Sequence, residues 1–296
     1  MRMPLRSALI LVLACSCVLA QDNAKTPAPA PSLNQDQIRD LIRRTAQNDM
    51  ENDKRQRDYT YIQREEQHRL DGKGEVKSTE TKTSEILEIY GEQVERLIAK
   101  DDKPLSEKDA AKEEEKIQKL IDKRKDESEK DREKREEKEE KDREQDRQFV
   151  REVADAYNFT FVGIDSLSGR DTYVIDGEPR PGYEPHLKEA KILPKFRFRA
   201  WIDKDESQWK KLDIQCIDTV SFGLFLARIH KGSRIIIEQT RINNEVWLPQ
   251  HINVKVDVRV ALLKDFNVND DITFRDYKKF RTDTKIIPVG EFQQPQ

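Results

Sequence analysis

Cysteine, histidine, glycine and long apolar runs are scarce in this 296-residue chain, and each scarcity removes a class of function. The three cysteines are Cys15, Cys17 and Cys216. Only Cys216 falls in the part that can fold, so no disulfide framework is available. Its place in the alternation Leu212, Ile214, Cys216 marks a buried strand thiol rather than a nucleophile. The four histidines (His68, His186, His230, His251) are scattered, without the spacing a zinc site needs. There is no Gly-rich phosphate loop, no G-x-S-x-G and no EF-hand loop. We therefore expect neither an enzyme nor a bound cofactor or metal. Past the N-terminus no run of 18 apolar residues occurs, so no transmembrane helix is expected. The 55 basic and 58 acidic side chains leave a net charge of −3, which excludes a generally basic nucleic-acid binder. Lys195, Arg197 and Arg199 interleave with Phe196 and Phe198 as in a nucleic-acid-binding strand. Asp203 and Asp205 follow at once, and no nucleic-acid partner is expected.

What the chain has in excess is charge, at 38% of residues against ~25% in ordinary domains. The excess is local: 33 of the 42 residues in 107–148 are charged. The remainder can bury a core. At the N-terminus Arg2 and Arg6 precede an apolar run over Ala8–Val18, and Val18-Leu19-Ala20 offers a small-residue cleavage site before Gln21. Residues 1–20 thus read as a secretory signal and imply an exported, periplasmic protein. A second reading stands beside it, a lipobox at Val12-Leu13-Ala14 that would leave a lipidated Cys15 anchored to a bacterial membrane. Residues 21–32 contain Pro27-Ala-Pro29-Ala-Pro31 and form a semi-extended tether.

A domain is expected over 33–281, with a charged helical insertion at 106–154 and a tail at 282–296. Ile38, Leu41, Ile42 and Met50 give a helix over 33–56 with a narrow apolar stripe, and Ser32 with Gln35 can form a capping box. From Tyr59 the period becomes two, predicting strands at Tyr59–Leu70, Glu75–Tyr90 and Glu92–Lys100, the first pair joined by Asp71-Gly72-Lys73-Gly74. In the insertion, Ser106/Asp109 and Ser128/Asp131 are two helix starts, predicting helices over about 107–126 and 129–154 rather than one rod. Ile117, Leu120 and Ile121 form a small docking patch on the first. Between Asp122 and Gln148 no residue is apolar, and pairs such as Asp131/Arg135 and Glu139/Arg143 would support a solvated helix. A solvated protrusion, an arm that docks an envelope protein through 107–148, and a disordered segment all remain open.

After Phe159 the chain reads as β. Phe196/Phe198/Ala200/Ile202 alternate, and Ile252, Val254, Val256, Val258, Val260 and Leu262 do so at strict i, i+2 with Asn253, Lys255, Asp257 and Arg259 between them. That is one long strand with a wet and a buried face. Gly169-Arg170, Asp203–Gln208 and Asn243-Asn244 are the intervening turns. The fold class is mainly β (α+β), with about eleven strands in sequential antiparallel order. One segment departs from period two: Phe222, Phe225, Leu226 and Ile229 have helical spacing and read as a short core plug or as a flap over a ligand cavity. Trp201, Trp209 and Trp247 read as core or rim residues.

Four stretches are familiar in succession: Gly169-Arg170-Asp171-Thr172-Tyr173-Val174-Ile175-Asp176 leading to Pro179; Ala200-Trp201-Ile202-Asp203-Lys204; Asn244-Glu245-Val246-Trp247-Leu248-Pro249; and Phe274-Arg275-Asp276-Tyr277-Lys278-Lys279-Phe280. In this order they resemble the outer-membrane lipoprotein-sorting, LolA/LolB-like periplasmic proteins, over roughly residues 159–281. The resemblance implies an open antiparallel half-barrel, helices as a lid over its mouth, and an apolar cavity for lipid or lipoprotein acyl chains. The compact carriers of that family lack the charged insertion. On this reading the cavity lining is Phe196, Phe198, Ile202, Ile252, Val254, Val256 and Val258, with Phe222, Phe225 and Leu226 as flap.

Overall fold

The computed structural model describes residues 32–90, 92–222, 227–260 and 264–279. Its first helix, α1 (Gln35–Gln56), starts two residues later than Ser32 suggested. Asn34 is the cap: its side chain accepts the Gln37 amide while the Gln37 side chain accepts the Asn34 amide, both at 2.9 Å. The Asn34/Gln37 pair satisfies two orphan amides reciprocally, as a capping box does. Ile38, Leu41, Ile42 and Thr45 form the buried stripe of α1.

Thirteen strands follow among the described residues, against about eleven predicted from the alternation. They are β1 (Tyr59–Leu70), β2 (Val76–Ile89), β3 (Glu92–Lys100), β4 (Lys103–Pro104), β5 (Tyr157–Leu167), β6 (Arg170–Pro179), β7 (Phe196–Asp203), β8 (Trp209–Cys216), β9 (Val220–Phe222), β10 (Ala227–Ile229), β11 (Arg234–Ile242), β12 (Val246–Val260) and β13 (Lys264–Lys279). The extra elements are short. β9 and β10 pair with each other and β10 pairs with β12, so the stretch read as a helix or flap contributes two strand segments instead. Phe225 and Leu226 lie outside the described residues. All pairings are antiparallel, and the main path runs β4-β3-β2-β1-β13-β12-β11-β8-β7-β6-β5. Among the described residues β5 does not pair with β3 or β4, so the sheet stays open.

The turns follow from local chemistry. Asp101-Asp102, Ser168-Gly169 and Asn243-Asn244 all have positive φ, between 47° and 75°, as tight hairpins of right-twisted strands require. The Asp71 carboxylate accepts the amides of Lys73 and Glu75 at 2.8 and 3.0 Å, and Gly74 takes φ 84°.

Directly paired residues share a face, so register defines rows across the sheet. One row passes through Ile175, Ala200, Leu212, Ile237, Ile252, Ile272, Glu65 and Lys82. The next passes through Gly177, Phe198, Ile214, Ile235, Val254, Asp270, Gln67 and Glu80. The same face is therefore apolar from β6 to β12 and turns polar at Asp270 of β13 in one row and at Glu65 of β1 in the other. Its β5–β8 part is closed: Ile38, Leu41 and Ile42 of α1 pack there with Phe159, Ile175, Ala200 and Ile202, together with Leu193 from a 3-10 helix at Glu189–Lys195.

The insertion forms two helices, α2 (Glu107–Lys125) and α3 (Glu129–Ala156), capped by Ser106 and Ser128 as the spacing predicted. Neither is a free arm. Ile117 is buried, and α2 lies along β3, its Glu113 carboxylate accepting the Leu97 amide at 3.2 Å. The last turns of α3 enter the core through Phe149, Val153, Ala154 and Ala156. There the buried Glu152 carboxylate accepts the Tyr183 hydroxyl and the amides of His186 and Leu187. Burial raises its pKa, yet those hydrogen bonds prevail and hold it below the ordinary range.

Gly177 sits opposite Phe198, and a Cβ at Gly177 would lie 2.5 Å from the ring carbons. Gly177→Ala should cost about 1–3 kcal/mol of stability in urea unfolding, and Phe198→Leu should recover part of that loss by removing the ring. A neutral Gly177→Ala would contradict this packing.

Candidate functional site

Three of the four familiar stretches converge at the sheet end where β6 begins and β7 ends. Arg170 donates to both oxygens of the fully buried Asp203, at 2.6 and 2.9 Å, and to Glu206 at 3.0 Å. The Trp247 indole donates to Glu206 at 2.8 Å, and Arg241 bonds the same carboxylate. The Arg170 guanidinium lies over the Trp247 ring, 5.5 Å from its centre. Asn52 of α1 clasps the Trp247 backbone, donating to its carbonyl at 2.7 Å and accepting its amide at 2.8 Å. Beside it Asp49 accepts the Trp209 indole and the Gln208 amide. The fourth stretch joins through Tyr277, which donates to the Pro249 carbonyl, while Lys279 pairs with Glu245 at 2.8 Å. These motifs are structural: they fasten α1 to the start of β12 and fix the turn after β7.

With α1 so fastened, the concave face divides. Of the expected lining residues, Ile202 is wholly buried and Phe198 packs on the closed core, 4.9 Å edge-on to Tyr157. Phe196, Ile252, Val254, Val256 and Val258 are half-buried. The seven share one face of the sheet, with Ile202 and Phe198 under the cover and Phe196 and the four on β12 less buried. Ile252, Val254, Val256 and Val258 on β12, with Ile235 and Ile237 on β11, form an apolar floor that reaches β13 at Val268 and Ile272, on either side of Asp270. Residues α1 contributes reach only the start of β12, through Asn52 and Gln56 to Trp247. The backbone of Phe222 closes β9; Cys15 and the leader lie outside the described residues.

The border of that floor was not legible in the sequence. Glu65 and Lys82 continue one row, and Asp270, Gln67 and Glu80 the other. Burial pushes the Glu65 carboxyl up, with Lys82 opposing, and one carboxylate oxygen of Asp270 is buried without a hydrogen-bond partner. The period-two pattern of β1 showed that these residues share a face, but not that β13 would place them beside Val254 and Ile252.

The opposite face is a salt ladder. Asp176 pairs with Arg199 at 2.6 Å and Asp213 with Arg234 at 2.7 Å, and Arg197 donates to Gln215. Lys211 bonds Glu238 at 2.6 Å and stands over the Trp201 ring. A shallow groove of about 540 Å³ runs along these side chains. The basic strand Lys195–Arg199 therefore spends its charge within the sheet. Cys216 is buried, its thiol donating to the Asp218 carbonyl at 3.0 Å, and burial raises its pKa. Among the described residues no group of three or more His, Cys, Asp or Glu side chains could hold a metal ion, and no helix is long and apolar enough to cross a membrane.

No protein-family model matches the chain, and no curated protein matches it. Among solved structures it is similar to a DUF1329 family protein from Desulfovibrio piger, at 13% identity and TM-score 0.32 over 83% of this chain and 93% of that one. It is also similar to a putative outer membrane lipoprotein-sorting protein domain from Vibrio parahaemolyticus, at 11% identity and TM-score 0.34 over 83% and 95%. A LolA superfamily protein from Nitrosomonas europaea matches at 8% identity and TM-score 0.29 over 80% and 94%. The open antiparallel architecture stands on the strand order of the described residues itself.

Asp203 is the hub whose removal tests the motif network. Burial raises its pKa, but the Arg170 guanidinium and the amides of Glu206 and Asp205 outweigh that and hold it below its ordinary 3.8. Asp203→Asn should lower stability by about 2–3 kcal/mol at pH 7. A depressed folded-state value stabilises fully above the unfolded pKa and loses its effect as pH falls through the folded one, so the gap between wild type and variant should close below about pH 4. Urea unfolding at pH 7 and pH 3 measures it, and an unchanged gap would contradict the assignment.

Proposed function

We propose that the protein is a non-enzymatic carrier or sensor of the bacterial envelope that holds a lipid or the acyl chains of a lipoprotein on the floor formed by β11, β12 and β13. The observation that supports it most is the unequal cover of the concave face. On β5–β7 Tyr157, Phe159, Ile175, Ala200 and Ile202 are sealed with α1, α3 and the 3-10 helix, whereas Ile252, Val254, Val256 and Val258 stay half-buried among the described residues. An apolar sheet face in water must be covered. A hydrocarbon chain supplies that cover at ~0.8 kcal/mol per CH₂, or ~12 kcal/mol gross for sixteen carbons, with no covalent chemistry. Export to the periplasm, through cleavage before Gln21 or lipidation at Cys15, is part of the same reading.

The competing reading, an envelope scaffold that binds a protein through 107–148, draws on the exposed charged faces of α2 and α3. Deleting that segment does not separate the two readings cleanly, because both helices are anchored to the sheet at their buried ends. A substitution on the floor does separate them. Val256→Asp should bind the fluorescent fatty acid 11-(dansylamino)undecanoic acid at least about tenfold more weakly than wild type. Its circular dichroism should stay native, since Val256 is only half-buried. Absence of binding by wild type, or equal binding by the folded variant, would overturn the lipid reading.

A further inference from the structure

A sheet that stays open has two edges, and an edge strand offers unpaired amides and carbonyls to any extended chain. One edge of this sheet is closed. Strand β4 pairs with Ala99 and Lys100 and ends at Pro104, which has no amide to offer. Beside it α2 caps β3: the Glu113 carboxylate accepts the Leu97 amide and the Lys116 ammonium donates to the Glu95 carbonyl, both at 3.2 Å. The β5 edge is different. Among the described residues β5 pairs with β6 alone. The Ala156 carbonyl accepts the Arg180 amide, so by the alternation of an antiparallel ladder Asn158 and Thr160 also face β6, while Phe159 and Phe161 face outward. Gln35 donates to the Phe159 carbonyl, and among the described residues no such contact follows at residues 161–164. Residues 157–164 carry no charge, in a chain of which 38% is charged. Natural edges are blunted by charge, proline, short length or cover; this one has only a bulge between Phe161 and Gly163.

Register shows what this edge leaves unfinished. Ile202 pairs with Tyr173 and Tyr173 with Ile164, so an apolar row of the concave face runs from the core to the rim. Ile202 is wholly buried, whereas Ile164 is 39% exposed and Val162 48%. A groove of about 510 Å³, lined by Leu33, Leu41, Arg44 and Tyr173, shows that α1 leaves the rim open. A second copy of the chain completes such a row. A two-fold axis at Ile164 sets β5 antiparallel to its counterpart, as in the other pairs of this sheet. Ile164 then meets its own counterpart, and the row continues through the Tyr173 and Ile202 of the copy. Asp165, the one charged residue among 161–167, falls opposite the copy's Gly163. Neither carboxylate faces a like charge, which directly opposed would disfavour the pair, and each stays on its own Trp201 indole at 3.1 Å.

We propose that β5 is a dimerisation edge: two copies of the chain join β5 to β5 about a two-fold axis at Ile164, and their sheets become one. Such an interface is isologous and closed, so assembly stops at two. The far edge does not propagate it, because α2 and Pro104 block that side. The axis stands across the sheet, so both concave faces look the same way. The floor on β11 and β12 lies at least four strands from β5, and the inference does not depend on what that floor binds.

The test is sedimentation velocity on the full mature chain from about 1 to about 100 µM, with hydrogen exchange of the β5 amides on the same samples. Wild type should pass from monomer to dimer across that range, and exchange at residues 161–166 should slow as it does. Ile164→Lys sets two ammonium groups face to face on the axis and should weaken dimerisation at least about tenfold. Its circular dichroism should stay native, since residue 164 is exposed. Val76→Lys, at an exposed site on the first hairpin, should dimerise as wild type does. Wild type that stays monomeric at the highest concentration would overturn the proposal, as would a folded Ile164→Lys that dimerises equally well. Protection of β5 that does not change with concentration would mean that a segment of the same chain covers the edge, and would overturn it too.

Discussion

An open sheet with one apolar face cannot stand in water uncovered, and the rest of this molecule is arranged around that constraint. Among the described residues the sheet does not close into a barrel, so the apolar side chains of β5 to β12 need cover from elsewhere. Cover comes unevenly. The narrow stripe Ile38, Leu41, Ile42 seals only what a single helix can reach, and the ends of α3 and the 3-10 helix add a little more. The apolar rows continue past that seal through Ile235, Val254 and Ile252 until they meet Asp270 and Glu65.

Polar interactions then hold the cover in place. Asn52 and Asp49 fasten α1 to Trp247 and Trp209, and Arg170, Asp203 and Glu206 make rigid the turn against which those tryptophans rest. Lys210 is buried in the same region with its ammonium on the Leu167 carbonyl, and burial lowers its pKa. A network of this kind is costly to break because each partner left behind stays desolvated. The four stretches, far apart in the chain, are the pieces of one clasp.

Much of this was legible in the residues. Period two located β1, β2 and β3 almost to the residue and the second half of β12, whose start at Val246 it missed, and Ser106 and Ser128 announced both insertion helices. What was not legible depends on contacts made across the sheet. Phe222 and Ile229 have helical spacing but end in short strands, because pairing with β12 decides their conformation. Arg135, expected to pair with Asp131, reaches Glu127 and Glu139 instead once the chain bends at Ser128. Local spacing could not show that Ile202 would be sealed while Val256 would not, nor that a run of charges would return to the core through Phe149 and Val153. The charged insertion read as an arm; its two ends make it a brace.

The central claim is that the uncovered floor carries an acyl ligand, and native mass spectrometry of protein purified from the envelope without detergent tests it most directly. The account predicts a stoichiometric adduct that organic extraction releases as an acyl lipid or acylated peptide. A bare protein mass that stays unchanged after incubation with envelope lipids would contradict it.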